Sequence, residues 1–326
     1  MVPTRILKCL KMLYPDASNP LVVILGPTAV GKTEVALQLA ERLGGEIVSA
    51  DSRLFFRGMD IGTAKPSLAE RERVPHHLID VADPDEVWSL TLFQHAARQA
   101  IQEIHQRRHL PFLVGGTGQY IRAVIEGWQP PAQQPDPRLR DTLEKWAAEI
   151  GPFELHRRLA FLDDEAASKI QPQNVRRTIR ALEVIFCTGE KFSTQRRRQA
   201  TPYSLLLIGL NRSRTELYAR IDARIDTMLA AGFQDEVSRL LSQGYSPDLS
   251  PLSALGYREM IAYLRGQMTL EDAIVEMKRR TRQFVRRQAN WFKTTDPNIH
   301  WFEMGPNTVD EVETFIRSGN GWQSIK

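Results

Sequence analysis

The feature that most constrains the fold is the eight-residue segment 26–33, whose sequence is GPTAVGKT. It follows a short apolar run at 21–25 and opens a helical pattern over 33–42. This strand–loop–helix context is that of a P-loop, in which backbone N–H groups and the helix N-terminus bind phosphate oxygens. The expected diphosphate-binding residues are Gly26, Pro27, Thr28, Ala29, Val30, Gly31, Lys32 and Thr33.

Two side chains of the loop carry chemistry of their own. Lys32 has the length to reach terminal phosphate oxygens, and the hydroxyl of Thr33 suits a Mg²⁺ ligand, so magnesium is the expected cofactor. The alternative is a glycine-rich turn that binds nothing. The motif indicates a diphosphate group but does not say which molecule carries it.

Short strands alternate with helices along the rest of the chain. Further strands are predicted at 46–50, 111–115 and 204–210, with a helix over 90–108. Such alternation predicts a doubly wound parallel α/β sheet that binds ligands outside the carboxyl ends of its strands. The P-loop, Asp51 and the Gly-Gly-Thr segment ending at Thr117 are therefore expected on one rim of the sheet.

A proline-rich segment at 128–137 interrupts this alternation, and only helical periodicity follows as far as about residue 200. The sequence predicts a P-loop core from 20–129 and 201–326, with a helical C-terminal part that includes a long amphipathic segment at 269–293. An all-helical insertion is predicted at 130–200. Residues 1–19 are expected to form a flexible extension.

Composition excludes several classes of protein. Two cysteines cannot form a disulfide framework or a four-ligand zinc site, and no apolar run approaches the ~20 residues of a membrane span. We expect a cytoplasmic monomer without a membrane partner. The net charge of +4 is too small to establish a nucleic-acid partner by itself, so local clustering must decide that question.

Asp51 is the only carboxylate predicted at a strand end on the correct rim. A nucleotide hydrolase or kinase usually has an acid after a second buried strand, but 111–115 ends in Gly-Gly-Thr. Group transfer is therefore favoured over hydrolysis, with Asp51 as the candidate general base. The alternative is that Asp51 caps the following turn through Ser52 and Arg53.

Several segments together resemble the tRNA dimethylallyltransferase family over about residues 20–303. They are GPTAVGKT (26–33), SADS (49–52), RGMDIGTAKP (57–66), PHHLIDVADP (75–84), LVGGTGQY (113–120), RRTIRALEV (176–184), RIDARIDTMLAAGFQDEV (220–237), ALGYREM (254–260) and TRQFVRRQANWFK (281–293). Leu54 and Phe56 depart from the family, which usually has Gln and Tyr there. Leu54 lacks the amide donor and acceptor that the family has near the substrate adenine, and Phe56 keeps the ring but lacks the hydroxyl.

The resemblance implies transfer of a dimethylallyl group from dimethylallyl diphosphate to an adenosine of tRNA. The acceptor would be N6 of the adenosine 3′-adjacent to the anticodon, in tRNAs that read codons beginning with U. Thr117 would contact the bridging oxygen of the diphosphate and Arg224 its phosphates. The alternatives are a helix N-cap role for Thr117 and, for Arg220 and Arg224, pairing with Asp222, Asp226 or solvent.

Two basic clusters, at 169–198 and 278–293, suit the phosphate backbone of RNA, although each alone could be a solvated helix face. The buried stripes beneath them are predicted as Val175, Ile179, Leu182 and Phe186, and as Ile274, Met277, Phe284 and Trp291. The resemblance implies tRNA contacts by Asp51, Ser52, Arg53, Leu54, Thr117, Arg140, Arg176, Arg177, Thr178, Ile179 and Arg180.

Three other functions remain open at this point. The first is a P-loop nucleotide kinase or an isopentenyltransferase that acts on free AMP, neither of which needs a basic helical insertion. The second is a non-catalytic RNA-binding module, which would not depend on Asp51. The third is a DNA-binding regulator, for which no duplex-binding motif is recognisable.

Overall fold

The computed structural model describes residues 19–129, 131, 136–195 and 197–324. The chain forms two compact units, one from the segments up to Ile125 and from Thr201 onward, the other from Glu126–Ala200. This boundary lies four residues before the insertion predicted at 130–200. Except for Asn19, the extension predicted at 1–19 lies outside the described residues, as does part of the proline-rich segment 128–137.

The strands belong to a main sheet and a separate two-stranded antiparallel pair. They are β1 (Pro20–Leu25), β2 (Gly45–Ser49), β3 (His76–His77), β4 (Leu110–Gly115), β5 (Trp128–Gln129), β6 (Arg197–Arg198), β7 (Ser204–Asn211), β8 (Ile299–Glu303) and β9 (Gln323–Ser324).

The helices divide between the two units. They are α1 (Lys32–Leu43), α2 (Leu68–Arg73), α3 (Leu90–Gln106), α4 (Gly118–Ile125), α5 (Pro137–Ile150), α6 (Pro152–Leu162), α7 (Asp164–Ser168), α8 (Val175–Thr188), α9 (Arg214–Ala230), α10 (Phe233–Ser242), α11 (Tyr257–Leu264), α12 (Leu270–Gln288) and α13 (Thr308–Arg317).

The main sheet has the strand order β3-β2-β4-β1-β7-β8, and all these neighbours are parallel. β9 adds an antiparallel pairing to β7. The parallel α/β prediction is confirmed. The C-terminal part, which was predicted as helical after β7, also contains β8 and β9; each is too short, at five and two residues, to give a strong periodic signal.

The central strands are buried over almost their whole length. In β1 the residues Leu21 to Leu25 are fully buried, and in β7 the residues Ser204 to Leu210 are buried. Such continuous apolar runs are typical of parallel strands that are covered on both faces, and they explain why β1 was recognisable in the sequence. The sheet core positions the loops at its carboxyl ends.

The helical unit has a core of its own. Leu143, Leu155, Leu159 and Leu182 are buried together there, and β5 pairs with β6 in a two-stranded antiparallel ladder. The prediction that Phe186 completes the buried stripe of α8 is wrong, because its side chain is 48% exposed. The buried residues of α8 end at Val184, before the last turn of the helix.

The amphipathic segment predicted at 269–293 is a helix only as far as Gln288. Met277 is buried as predicted, but Phe284 is half-buried and Trp291 lies beyond the helix end. The buried residues of α12 are Ala273, Met277, Val285 and Gln288, so the buried stripe ends on an amide. Among the helices of the described ranges, none has the length and apolar character needed to cross a membrane.

Candidate active site

The order of the strands determines which loops meet at the carboxyl rim. β4 lies between β1 and β2, so the Gly116–Thr117 segment after β4 lies between the P-loop after β1 and Asp51 after β2. The three features predicted on one rim are therefore on adjacent strands. Neighbouring strands in a sheet are about 4.8 Å apart, which is close enough for one substrate to touch all three loops.

Lys32 is turned into the P-loop. Its Nζ donates hydrogen bonds to the carbonyl oxygens of Gly26 (3.0 Å) and Pro27 (2.8 Å). Burial lowers the pKa of Lys32 from 10.5 to about 8; the charge of Asp51 opposes this shift, and that of Arg224 adds to it. The three side chains are thus close enough to influence one another's charge. A diphosphate would supply the negative charge that the buried ammonium lacks.

Two arginines, one just after β7 and one on α9, bind backbone carbonyl oxygens of the P-loop. Arg220 Nε donates to the carbonyl oxygen of Ala29 (2.7 Å), and Arg212 Nε donates to that of Val30 (3.0 Å). Ala29 has a positive φ of 66°, a backbone strained for a residue with a Cβ. The two arginine contacts stabilise this conformation.

Arg224, four residues after Arg220 on α9, donates from Nη2 to the carbonyl oxygen of Thr63 (2.9 Å). Burial lowers its pKa, with the charge of Asp51 acting in the opposite direction. The alternative of pairing with Asp222 or Asp226 is not observed for either arginine among the described residues, since Asp222 is paired with Arg282 and Asp226 with Lys278 (2.8 Å).

Asp51 has a structural contact and a remaining oxygen. Its Oδ1 accepts the backbone N–H of Arg53 at 3.0 Å, which is the turn-capping role that was the alternative to catalysis. Over the part of the chain that the structure describes, no hydrogen bond reaches its Oδ2. One carboxylate oxygen can therefore hold the turn while the other accepts a substrate proton.

Thr117 connects the loops after β2 and β4. Its Oγ1 accepts the backbone N–H of Ser52 at 3.4 Å, and its carbonyl oxygen accepts the N–H of Ile121 at 3.2 Å. The second contact places Thr117 at the start of α4, but among the described residues no helix N–H donates to its hydroxyl, so the hydroxyl does not cap the helix as the alternative proposed. The hydroxyl instead contacts the loop that carries Asp51.

The residues after Asp51 are only partly accessible. Arg53 donates from Nη1 to the carbonyl oxygen of Ser250 (3.1 Å), and burial lowers its pKa. Ser52 and Leu54 are half-buried, whereas Phe56, one of the two departures from the family, is buried in the core. The tyrosine hydroxyl of the family is therefore missing at a position where the ring is only 6% exposed.

Glu236 of α10, which the sequence analysis did not single out, fixes the segment 60–62. Its carboxylate accepts the N–H groups of Asp60 (2.7 Å), Ile61 (2.7 Å) and Gly62 (3.1 Å), and also the hydroxyl of Tyr257 (2.6 Å). The side chain is almost fully buried. This contact anchors the backbone that precedes the carbonyl bound by Arg224.

Gln288 was also missed. Its Oε1 accepts the N–H of Thr28 at 2.9 Å, and its Nε2 donates to the carbonyl oxygen of Gly116 at 3.0 Å. Two signals in the sequence could have found it. Gln288 is an uncharged amide among arginines, and it lies three residues after Val285 and eleven after Met277, a spacing that places all three on the buried side of a helix.

A cavity of about 300 Å³ lies beside the P-loop. Its lining includes Gly26, Gly116 and Gln288 together with the rings of Tyr218, Phe292 and Trp301. The lining is mostly apolar. It was not predicted, because its wall combines residues from five distant parts of the chain.

The sequence matches the IPP transferase family model over residues 54–295. A tRNA dimethylallyltransferase of Roseiflexus sp. (strain RS-1) is 54% identical over 280 residues, covering 86% of this chain and 92% of the relative. One from Thermomicrobium roseum is 49% identical over 286 residues, covering 88% and 87%. The chain belongs to the tRNA dimethylallyltransferase family.

Solved structures of the family have the same fold. The tRNA isopentenylpyrophosphate transferase from Bacillus halodurans is 43% identical, with a TM-score of 0.70 and coverage of 93% of this chain and 97% of that one. A eukaryotic dimethylallyltransferase acting on tRNA is 28% identical, with a TM-score of 0.77 and coverage of 91% and 78%. The chain is therefore a prenyltransferase of this family.

Several basic residues of the helical unit are among the predicted tRNA contacts. Arg140 and Arg180 each pair with the buried carboxylate of Glu183, at 2.7 Å in both cases. Burial alone would raise the pKa of Glu183, but the hydrogen bonds from Arg180, Arg140 and the backbone N–H of Asp136 outweigh it and lower the pKa. Arg140 and Arg180 are thus anchored within the unit and only partly accessible.

The other predicted RNA contacts on α8 differ in exposure. Arg176 and Arg177 are exposed, whereas the side chains of Thr178 and Ile179 are buried in the helical unit. Buried side chains offer no contact to RNA. In the second cluster, Arg279 and Arg280 pair with Glu276, as in the solvated-face alternative, while Arg286 and Arg287 are exposed.

Proposed function

We propose that this family member transfers the dimethylallyl group of dimethylallyl diphosphate to N6 of an adenosine in the tRNA anticodon loop. The acceptor is the adenosine 3′-adjacent to the anticodon in tRNAs that read codons beginning with U, and diphosphate is released. The placement of Thr117 between the P-loop and Asp51, on three adjacent strands, is the observation that carries the proposal.

In the proposed reaction, N6 attacks C1 of the allylic group as the C1–O bond to the diphosphate breaks. The N6 proton passes to Oδ2 of Asp51, and the electrons of the broken bond leave with the diphosphate. Because N6 is a weak nucleophile, stabilisation of the departing diphosphate carries much of the rate enhancement. Lys32 and the P-loop N–H groups supply that stabilisation.

The residues present fit a magnesium ion. Thr33 is exposed at the start of α1, directly after Lys32, and Mg²⁺ is commonly held by one or two protein oxygens together with substrate phosphates. We assign its protein ligand to the Thr33 hydroxyl. When bound, the ion neutralises charge on the diphosphate.

We assign the cavity of about 300 Å³ to the donor. Its aromatic rings suit the apolar dimethylallyl chain, and Gly26 and Pro27 of the P-loop also line it. Asp51 does not line this cavity, which supports a donor that approaches the loop from one side and an adenosine that approaches from the Asp51 side. An adenine must leave its stack to present N6 in this way.

Within the helical unit we assign the phosphate backbone of tRNA to Arg176 and Arg177, because their side chains are exposed. Two such contacts add sequence-independent affinity that weakens as salt increases.

The test is incubation of the purified protein with labelled dimethylallyl diphosphate and one possible acceptor, either tRNA or AMP. A separate incubation with ATP and AMP tests for kinase activity. Label in the adenosine next to the anticodon, located by nuclease digestion and mass spectrometry, supports the proposal. Label in AMP alone would assign the activity to free nucleotides, and ADP formation would indicate a kinase. Either result would overturn the proposal.

A further inference from the structure

The amide of Gln288 connects the two glycine-containing turns of the active site. It accepts the N–H of Thr28 in the P-loop and donates to the carbonyl of Gly116, the residue before Thr117. These partners are separated from Gln288 by 260 and 172 residues. One side chain thus fixes the distance between the loop that binds the diphosphate and the turn that carries Thr117.

The contact is tight and largely shielded from solvent. Gln288 is 8% exposed, and a Cβ on Gly116 would lie 2.6 Å from its Nε2. Its next closest neighbour, the Lys32 ammonium, would be at an ordinary 3.6 Å. A Cβ at 116 would therefore displace the amide end of the Gln288 side chain, whereas the backbone at this residue has no positive φ that would itself favour glycine.

The helix that carries Gln288 is itself held against the P-loop. Lys278 and Arg282 of α12 pair with Asp226 and Asp222 of α9, and α9 supplies Arg220, which binds the carbonyl oxygen of Ala29. The P-loop is therefore held at two consecutive residues, Thr28 by α12 and Ala29 by α9. Movement of α12 would displace both turns together.

Only a primary amide satisfies both contacts. A carboxylate in the same place would direct an oxygen at the carbonyl of Gly116, and an aliphatic chain would leave both backbone groups without their partner. The side chain contributes no proton and no charge to the transfer reaction. Its chemistry is that of a spacer with one donor and one acceptor.

We infer that Gln288 is a positioning residue that sets the separation between the P-loop and Thr117, and hence between the diphosphate and the adenine amine. This inference rests on the proposed function, because it assigns the two turns to the leaving group and the acceptor side. Catalysis depends steeply on such alignment, and displacements of about 1 Å can cost about 100-fold in rate.

The first experiment compares wild type with Gln288→Ala in steady-state tRNA prenylation. We expect kcat to fall about 10- to 100-fold, while the Kd for inorganic diphosphate, the Kd for tRNA and the melting temperature change little. Gln283→Ala is the matched control, since Gln283 is an exposed amide on the same helix. It is expected to match wild type in every measurement.

A double-mutant cycle with Gly116→Ala tests the coupling directly. The added Cβ displaces the amide of Gln288, so Gly116→Ala should lower kcat in the wild-type background. In the Gln288→Ala background the clash is absent, and the same change should have no further effect. Strong non-additivity is expected for residues in direct contact.

The outcomes separate the inference from the function on which it rests. Absence of tRNA prenylation by the wild-type protein would refute the proposed function. If wild type is active, the inference fails in either of two cases. In the first, Gln288→Ala retains the kcat of wild type; in the second, the effects of Gly116→Ala and Gln288→Ala on kcat multiply in the double variant. A Gln288→Ala protein that loses diphosphate affinity and melting temperature in parallel with kcat would assign the amide to folding rather than to positioning.

Discussion

The side-chain nitrogen of Lys32 lies 2.8 Å from the carbonyl oxygen of Pro27, inside the loop that is to hold the diphosphate. Without a ligand, backbone carbonyls are therefore the hydrogen-bond partners of the ammonium. They do not compensate fully for its burial, and the pKa of Lys32 falls to about 8. A bound diphosphate favours the protonated form and should raise this pKa again.

Donor affinity should accordingly depend on pH. As pH rises through about 8, the lysine of the free protein loses its proton and binding weakens, by about tenfold between pH 7 and pH 9. Calorimetric titration with diphosphate should show proton uptake over this interval. Lys32→Arg keeps its charge and should bind with little pH dependence; a pH-independent Kd for wild type would contradict the prediction.

Asp51→Asn separates the two roles of the carboxylate. The amide oxygen can still accept the N–H of Arg53, but it cannot take up the N6 proton. We expect kcat to fall by about 10²- to 10⁴-fold with unchanged tRNA affinity and melting temperature. Asp51→Ala should also lower the melting temperature, because the turn loses its cap. Full activity of Asp51→Asn would show that the residue serves only the turn.

Thr117→Val removes a hydroxyl and retains the shape of the side chain. If the hydroxyl contacts the diphosphate, kcat should fall about 100-fold, in the range measured when a transition-state donor is removed. Thr117→Ser keeps the hydroxyl and should remain within a few-fold of wild type. Equal activities of the valine and serine variants would show that the hydroxyl has no part in the reaction.

Glu236→Ala tests the anchoring of the segment 60–62. The change leaves three backbone N–H groups and the Tyr257 hydroxyl without their acceptor, so we expect a loss of about 2–4 kcal/mol in the free energy of unfolding. Urea denaturation measures this loss. The exposed neighbour Asp235→Ala should cost less than about 1 kcal/mol.

Glu46 provides a pH-dependent contribution to stability away from the carboxyl rim, at the start of β2. Burial would raise its pKa, but hydrogen bonds from Arg107, His77 and His109 outweigh burial and lower it from 4.5 to about 2. The unfolded chain therefore binds the proton more readily, and this contribution is lost as pH falls from about 4.5 to about 2.

Glu46→Gln should reveal that contribution. At pH 7 the variant should be less stable than wild type by about 1–3 kcal/mol, because Arg107 loses a bidentate carboxylate. The difference should shrink in unfolding experiments as pH falls toward 2. A difference that is constant between pH 7 and pH 3 would refute this origin.

The local features of the site were accessible from the sequence because each depends on residues close together in the chain. The apolar run before Gly26, the glycines of the P-loop and Asp51 after β2 all have short-range signatures. The burial of Phe186 and the extent of α12 were predicted incorrectly, since periodicity shows which face of a helix is apolar but not where its neighbours end.

The sequence alone determined the P-loop, the parallel α/β class, the family resemblance and the candidate base, because strand and turn preferences are local properties. Tertiary structure decided that β4 lies between β1 and β2, that α9 holds Ala29 and that Gln288 connects Thr28 to Gly116. The last two contacts span 172 to 260 residues. Such contacts depend on how whole helices pack against the sheet, which no local pattern encodes.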